Sequence, residues 1–161
     1  MQFEFYSSLE TPWGSFGIYA SDQGVVRVEK ETQTAPQSLP PIPYDLAHAW
    51  EAYATGLSDS LHLPLDLTAS PEEQLFYLAI RKIPRGESRK LADVARESGW
   101  TDAQALSCLA DCPLPLILPV HRVAGWEDPE RPLHEAILTF EKEHPRLPRA
   151  EIPWKKNREE N

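Results

Sequence analysis

Cysteine is scarce in this 161-residue chain: only Cys108 and Cys112 occur. Two thiols four positions apart are too few for a disulfide scaffold. They suit one helical face better than a bridge or a zinc knuckle, and read as small buried or half-buried side chains of a cytosolic protein. Long apolar runs are absent as well, and nothing approaches the roughly 18–20 residues of a membrane span. The opening residues Met1-Gln2-Phe3-Glu4-Phe5 lack the basic and apolar regions of a secretory signal. A cytoplasmic protein with no membrane partner is therefore expected. No glycine-rich phosphate loop is present, and His48, His62, His121, His134 and His144 lie scattered, without metal-ligand spacing. Neither a metal nor another cofactor is expected. Positive charge is also short, with 16 Lys and Arg against 25 Asp and Glu for a net of −9. That balance argues against general affinity for nucleic acid, because phosphate neutralisation supplies most non-specific binding.

The charge that is present is unevenly spread. Residues 1–70 hold 2 basic and 9 acidic side chains, whereas residues 146–161 hold 5 and 3. Between them Arg81, Lys82, Arg85, Arg89, Lys90 and Arg96 oppose only Glu87 and Asp93. This is a local basic segment on an acidic protein, or a solvated helix flank. Alternation predicts strands over 3–10 and 16–30, broken at Thr11-Pro12-Trp13-Gly14, with a turn at Asp22-Gln23-Gly24. Four prolines between Thr32 and Pro43 predict a loop. A helix is expected over 45–56 with Leu46, Ala49, Trp50 and Tyr53 on one face, then an extended linker, Leu63 to Leu67. Ser70-Pro71-Glu72-Glu73 starts a helix over 71–83 whose periodic positions are Leu75, Leu78, Ala79 and Lys82. Leu91, Val94 and Ala95 mark another, ending at Gly99. Thr101-Asp102 caps a third, giving a helix-turn-helix outline. Leu114 to Val123 reads as a buried strand or extended run, and residues 133–143 as a last helix with Leu133, Ile137, Leu138 and Phe140 near the core.

Several motifs recur in one order: Thr11-Pro12-Trp13-Gly14-Ser15-Phe16-Gly17, Ala52-Tyr53-Ala54-Thr55-Gly56, Ile83-Pro84-Arg85-Gly86-Glu87, Leu91-Ala92-Asp93-Val94-Ala95, Pro119-Val120-His121-Arg122 and Ala136-Ile137-Leu138-Thr139-Phe140-Glu141. Together, over residues 3–143, they resemble the O6-alkylguanine-DNA alkyltransferases. The resemblance implies a mixed α/β (α+β) fold. An N-terminal ribonuclease H-like sheet domain would span 1–67, a C-terminal winged-helix, helix-turn-helix-like domain 68–145, and a charged tail 146–161. In that family a Pro-Cys-His-Arg loop supplies a thiolate that takes the alkyl group from a flipped guanine, assisted by a histidine and a glutamate.

The resemblance carries the relay onto His121 and Glu141, and the acceptor position onto Val120. An isopropyl group has no lone pair, so the chain is expected not to be an enzyme. Other departures accompany it. The family tyrosine that rotates the target phosphate falls on Leu91. No arginine occurs between Arg96 and Arg122 to fill the gap left by the base, and the third helix offers Asp102, Gln104, Ser107 and Asp111 instead. Cys112 takes the place of a family asparagine, and the pocket loop is shortened to Gly125–Pro132, with three acids. Tentative DNA contacts are Arg85, Arg89, Lys90, Leu91, Gln104, Ser107 and Arg122. Two readings stay open. One is an inactive homologue that binds double-stranded DNA with alkylated guanine, akin to the alkyltransferase-like proteins. The other is a pseudoenzyme for contact with a protein partner, with Trp100 and Trp126 as candidate anchors. A third possibility is acid–base chemistry by His121 and Glu141 on a small substrate.

Overall fold

A three-stranded antiparallel meander, β1 (Phe5–Thr11), β2 (Gly14–Ala20) and β3 (Val25–Lys30), opens the computed structural model, whose described residues are 3–31 and 38–147. Register runs from Phe5 opposite Ala20 to Thr11 opposite Gly14, as the alternation requires. Phe16, Ile18, Val25 and Val28 turn inward. Tyr6 is buried on the opposite face of the sheet, where its ring meets Tyr19 edge-on. The expected loop over 32–43 lies partly outside the described residues, and so does most of the charged tail.

Helix α1 (Leu46–Ala54) begins at Asp45, whose carboxylate accepts from the His48 amide at 3.0 Å, and buries Ala49 and Tyr53. The expected linker then lies alongside β3. Leu65 bridges Val25, Val25 N donates to the Pro64 carbonyl at 2.8 Å, and Asp66 N donates to the Val25 carbonyl at 2.9 Å. Helix α2 (Pro71–Arg81) carries the anticipated start as a full capping box between Ser70 and Glu73. Its inward stripe differs from the expectation. Phe76, Tyr77, Ala79 and Ile80 are buried, while Leu75 and Leu78 stand 56% and 51% exposed. The aromatic stripe, one position along, offers more apolar area to the core than the leucine stripe does.

A two-residue strand β4 (Arg89–Lys90) leads into α3 (Leu91–Ser98), which stops at left-handed Gly99 and is followed by α4 (Asp102–Ala110), capped by Thr101. The expected strand over 114–123 does not form. Two prolines and three leucines crowd this stretch, Leu116 takes a left-handed φ of 74°, and Val120–Arg122 close a 3₁₀ turn before β5 (Val123–Ala124). β5 pairs in parallel with β4, Arg89 against Val123 and Lys90 against Ala124. Helix α5 (Arg131–Glu143) closes the described chain and buries Ile137 and Glu141. One hydrophobic cluster runs from Leu9, Phe16 and Ile18 through Phe76 and Ile80 to Val94, Leu114 and Ile137. The tight turn before Arg122 and the docking of α5 are what position the site.

Gly56 ties the end of α1 to the end of α5. Its φ is +86°, its carbonyl accepts from Leu147 N at 2.9 Å, and a Cβ there would lie 2.4 Å from the Pro145 carbonyl oxygen. Gly56→Ala is expected to lower unfolding free energy by about 2–4 kcal/mol, from backbone strain plus overpacking. Urea denaturation at neutral pH measures it; an unchanged midpoint would show that this seam is not tightly packed.

Candidate functional site

The centre of the site is a carboxylate with no exposed surface. Glu141, on α5, accepts from Tyr53 Oη at 2.6 Å, from Arg122 Nε and Nη2 at 2.9 Å each, and from the Gly86 amide at 3.1 Å. His121 Nε2 completes the set at 2.8 Å. Burial opposes its charge, but the histidine and the guanidinium hold Glu141 well below the usual carboxylate range. Because Glu141 is ionised, His121 Nε2 carries the proton and donates it. Burial lowers the His121 pKa, so the ring is neutral and Nδ1 bears the lone pair. That Nδ1 is buried and has no hydrogen-bond partner among the described residues.

Arg122 is held from several sides. Its Nη1 donates to the Ile83 carbonyl at 2.8 Å and to Asp59 Oδ2 at 3.1 Å, and its Nη2 to the Asp59 carbonyl at 2.7 Å. Burial alone would lower its pKa; Glu141 and Asp59 outweigh that and raise it. Arg85 lies over the Tyr53 ring at 4.6 Å and donates to the His144 and Ser58 carbonyls at 2.8 and 3.2 Å. Tyr53 is pushed up by burial and by Glu141, so it stays a phenol and a donor.

Beside this cluster opens a cavity of about 210 Å³, lined by residues that include His121, Val123, Gly125, Trp126, Arg131 and His134. Trp126 Nε1 donates to the Val123 carbonyl at 3.0 Å, which fixes its indole, and Arg131 Nη2 donates to the Trp126 carbonyl at 3.0 Å. His134 Nδ1 pairs with Asp128, which also lines the cavity. That second histidine–carboxylate pair escapes sequence reasoning because the six-residue separation crosses the start of α5 rather than one helical face. Val120 is 4% exposed and packs in the core; it is not among the lining residues.

The expected DNA contacts divide. Arg85 and Arg122 are interior, 7% and 1% exposed, with their donors committed to the cluster and to carbonyls. Leu91 is a core residue of α3 at 6% exposure. These three are corrected from surface contacts to packing and buried polar positions: a leucine there gains from burial, and the guanidinium groups gain from Glu141 and the carbonyls. Lys90 is exposed, and Arg89 is half-exposed and paired with Glu97. Both adjoin the site through the β4–β5 pairing. Gln104 and Ser107 are exposed on α4, although the Gln104 Oε1 already caps Thr101 N at 2.9 Å. Trp100 stacks on Phe76 at 5.4 Å, and neither Trp100 nor Trp126 is fully exposed. Both thiols are raised by burial, Cys112 to about 12, so both are protonated at neutral pH. Among the described residues no three His, Cys, Asp or Glu group to hold a metal ion, and no helix is long and apolar enough to cross a membrane.

No family model matches the chain. It is 29% identical over 133 residues to the constitutive methylated-DNA–protein-cysteine methyltransferase of Bacillus subtilis, covering 75% of this chain and 81% of that protein. Its fold is similar to that of Mycobacterium tuberculosis O6-methylguanine methyltransferase, with a TM-score of 0.71 at 23% identity over 89% of this chain and 94% of that one. The mycobacterial protein in complex with DNA gives 0.69 at 22% identity, over 87% and 94%. The mixed α/β fold class is as expected. The expectation that the chain is not an enzyme is corrected: the relatives it matches are named methyltransferases. The side chain at position 120 is nonetheless an isopropyl group, so any transfer chemistry needs an acceptor elsewhere.

The cluster sets the acid limb of stability. The folded pKa of His121 is below its unfolded value, so its contribution is present at neutral pH and declines as pH falls below about 6.5. Glu141, likewise depressed, adds a loss that begins as pH falls through about 4.3. Glu141→Gln strands the Arg122 charge and is expected to cost about 3–5 kcal/mol at pH 7, with a flatter acid limb. Urea midpoints from pH 7.5 to 3.5 test both; an acid limb as steep as that of the parent would remove Glu141 from this role.

Proposed function

We propose that this chain, which is similar over most of its length to a methylated-DNA–protein-cysteine methyltransferase, binds duplex DNA carrying an O6-alkylated guanine, as a DNA-repair or damage-recognition protein. The observation that carries the reading is the cavity beside His121. Its volume of about 210 Å³ is on the scale of a single base, Trp126 lines it, and a residue on its wall holds a buried acceptor nitrogen without a partner. A base extruded from the stack loses its pairing partners, so a pocket must offer polar groups and a flat surface to offset the few kcal/mol of unstacking. In this reading the unpartnered His121 Nδ1 accepts from an N–H of the base once the ring yields to it, and the fixed Trp126 ring supplies surface.

Lys90 and Arg89, held next to the cavity by the β4–β5 pairing, supply charge for the flanking phosphates. Asp102 and Asp111 at either end of α4, and the net charge of −9, work against non-specific binding. The expected behaviour is therefore weak affinity for plain duplex and dependence on the lesion.

Fluorescence anisotropy with duplexes containing guanine or O6-methylguanine, at low and physiological salt, tests this. A preference for the lesion of about tenfold or more is expected. His121→Gln, which keeps a donor toward Glu141 and removes the Nδ1 acceptor, is expected to abolish that preference. Lys90→Ala should weaken both duplexes alike and reduce the salt slope by about 1. Absence of binding at low salt would sink the reading. Intact mass after the same incubations reads methyl transfer directly, and peptide mapping assigns its acceptor.

A further inference from the structure

A second histidine–carboxylate pair, His134 with Asp128, stands on the wall of the same cavity as His121 and has no part in holding Glu141. Asp128 lies in the short loop between β5 and α5, and His134 in the first turn of α5. Their side chains are only 9% and 12% exposed, so the ring's remaining surface is that of the cavity it lines. Both oxygens of Asp128 are engaged: Oδ1 accepts from the Glu130 amide at 2.8 Å, and Oδ2 faces His134 Nδ1. A carboxylate only accepts, so Nδ1 carries the ring proton and, in the neutral imidazole, Nε2 bears the lone pair. Nε2 has no hydrogen-bond partner among the described residues, and it is not sealed in as His121 Nδ1 is. The fold thereby presents one oriented acceptor to the cavity.

An O6-alkylated guanine narrows what such an acceptor meets. Alkylation at O6 leaves N1 without its proton, and N9 is bonded to the sugar. The 2-amino group is then the sole N–H donor on the base. We infer that His134 Nε2 accepts a hydrogen bond from the 2-amino group of the extruded base, with Asp128 as the positioning residue that holds the ring in its accepting tautomer. The inference rests on the reading of this cavity as a base pocket, and adds that the pocket selects a purine with an amine at C2 over the same purine without it. Guanine and its lesion share that amine, so this contact does not set the preference between them. Ser88 and Glu135 are the other lining side chains that accept without already being engaged among the described residues. Both are exposed and neither is fixed by a partner, and an acceptor that must be ordered on binding contributes less than one already held.

Anisotropy at pH 8, above the ordinary imidazole range, with duplexes carrying O6-methylguanine or O6-methylhypoxanthine in one sequence tests this. The full chain is expected to bind the guanine lesion about fivefold more tightly. Loss of the amine weakens pairing in the duplex and eases extrusion, which acts in the opposite direction, so the preference is not a by-product of duplex stability. Asp128→Asn should remove it. The Glu130 amide retains the side-chain oxygen, so the new amide nitrogen faces Nδ1, donates to it and moves the ring proton to Nε2. His134→Phe should also remove the preference, and Glu135→Ala should leave it. Equal affinity of the parent chain for the two lesions, both still preferred over guanine, would overturn the inference and leave the base pocket standing. No preference for O6-methylguanine over guanine would take the pocket down and the inference with it. A preference that persists in Asp128→Asn, or that Glu135→Ala removes, would overturn the assignment to His134.

Discussion

A buried carboxylate must find donors or lose its charge, and the packing of this protein is organised around one that found five. Tyr53 reaches Glu141 from α1, Gly86 from the loop after α2, His121 and Arg122 from the 3₁₀ turn, and Glu141 itself arrives on α5. Four separate stretches of chain are thereby fixed to one pair of oxygens. Burying such an ion is expensive, and its attraction to Arg122 repays the desolvation only because nearly every lone pair and proton is used. The net gain in stability over a well-packed apolar cluster is small. The gain in position is large, since α5 slid by one turn would leave two buried charges apart.

Arg122 extends that constraint outward. Through Asp59 and the Ile83 carbonyl it ties the segment after α1 to the end of α2, and Arg85 bridges from there to His144 beyond α5. The arginines of the two motifs are therefore mortar. Guanidinium suits this place: five donors in one plane satisfy carboxylate and carbonyl oxygens together, as a lysine ammonium does not. This also explains why net acidity coexists with interior arginine.

The sequence made the strands, the caps and most helix faces legible because those follow from short-range rules. Asp45, Ser70 and Thr101 each cap the helix they precede, and Gly99 ends α3 in the left-handed conformation. The relay between His121 and Glu141 was legible through the family resemblance, not through spacing. What stayed hidden depends on which of two stripes wins the core. On α2 both the leucine and the aromatic stripe have helical periodicity, and only the volume left by Trp100 and the sheet selects Phe76 and Tyr77. Segment 114–123 misleads for a related reason: an apolar run predicts burial correctly but not extension, since Leu116 and Pro119 turn the chain. Arg85 and Arg122 misled because a basic residue in a basic segment reads as surface until a buried acid is placed beside it.

The same network bears on how the site's chemistry is to be read. Loss of any member of the Tyr53–Glu141–Arg122–His121 set strands a buried polar group, so the fold alone suffices to keep these residues whatever stands at position 120. Their presence is evidence about architecture first. His121 is the exception in one atom. Its Nε2 is required by Glu141, whereas its Nδ1 serves no intramolecular bond among the described residues, although it is buried where an unpaired acceptor carries a penalty. A polar atom that the fold does not need, on a residue lining a cavity, is where a requirement other than folding shows. In the function proposed above, the site is therefore carried by His121 Nδ1 and the cavity beside it rather than by the relay as a whole.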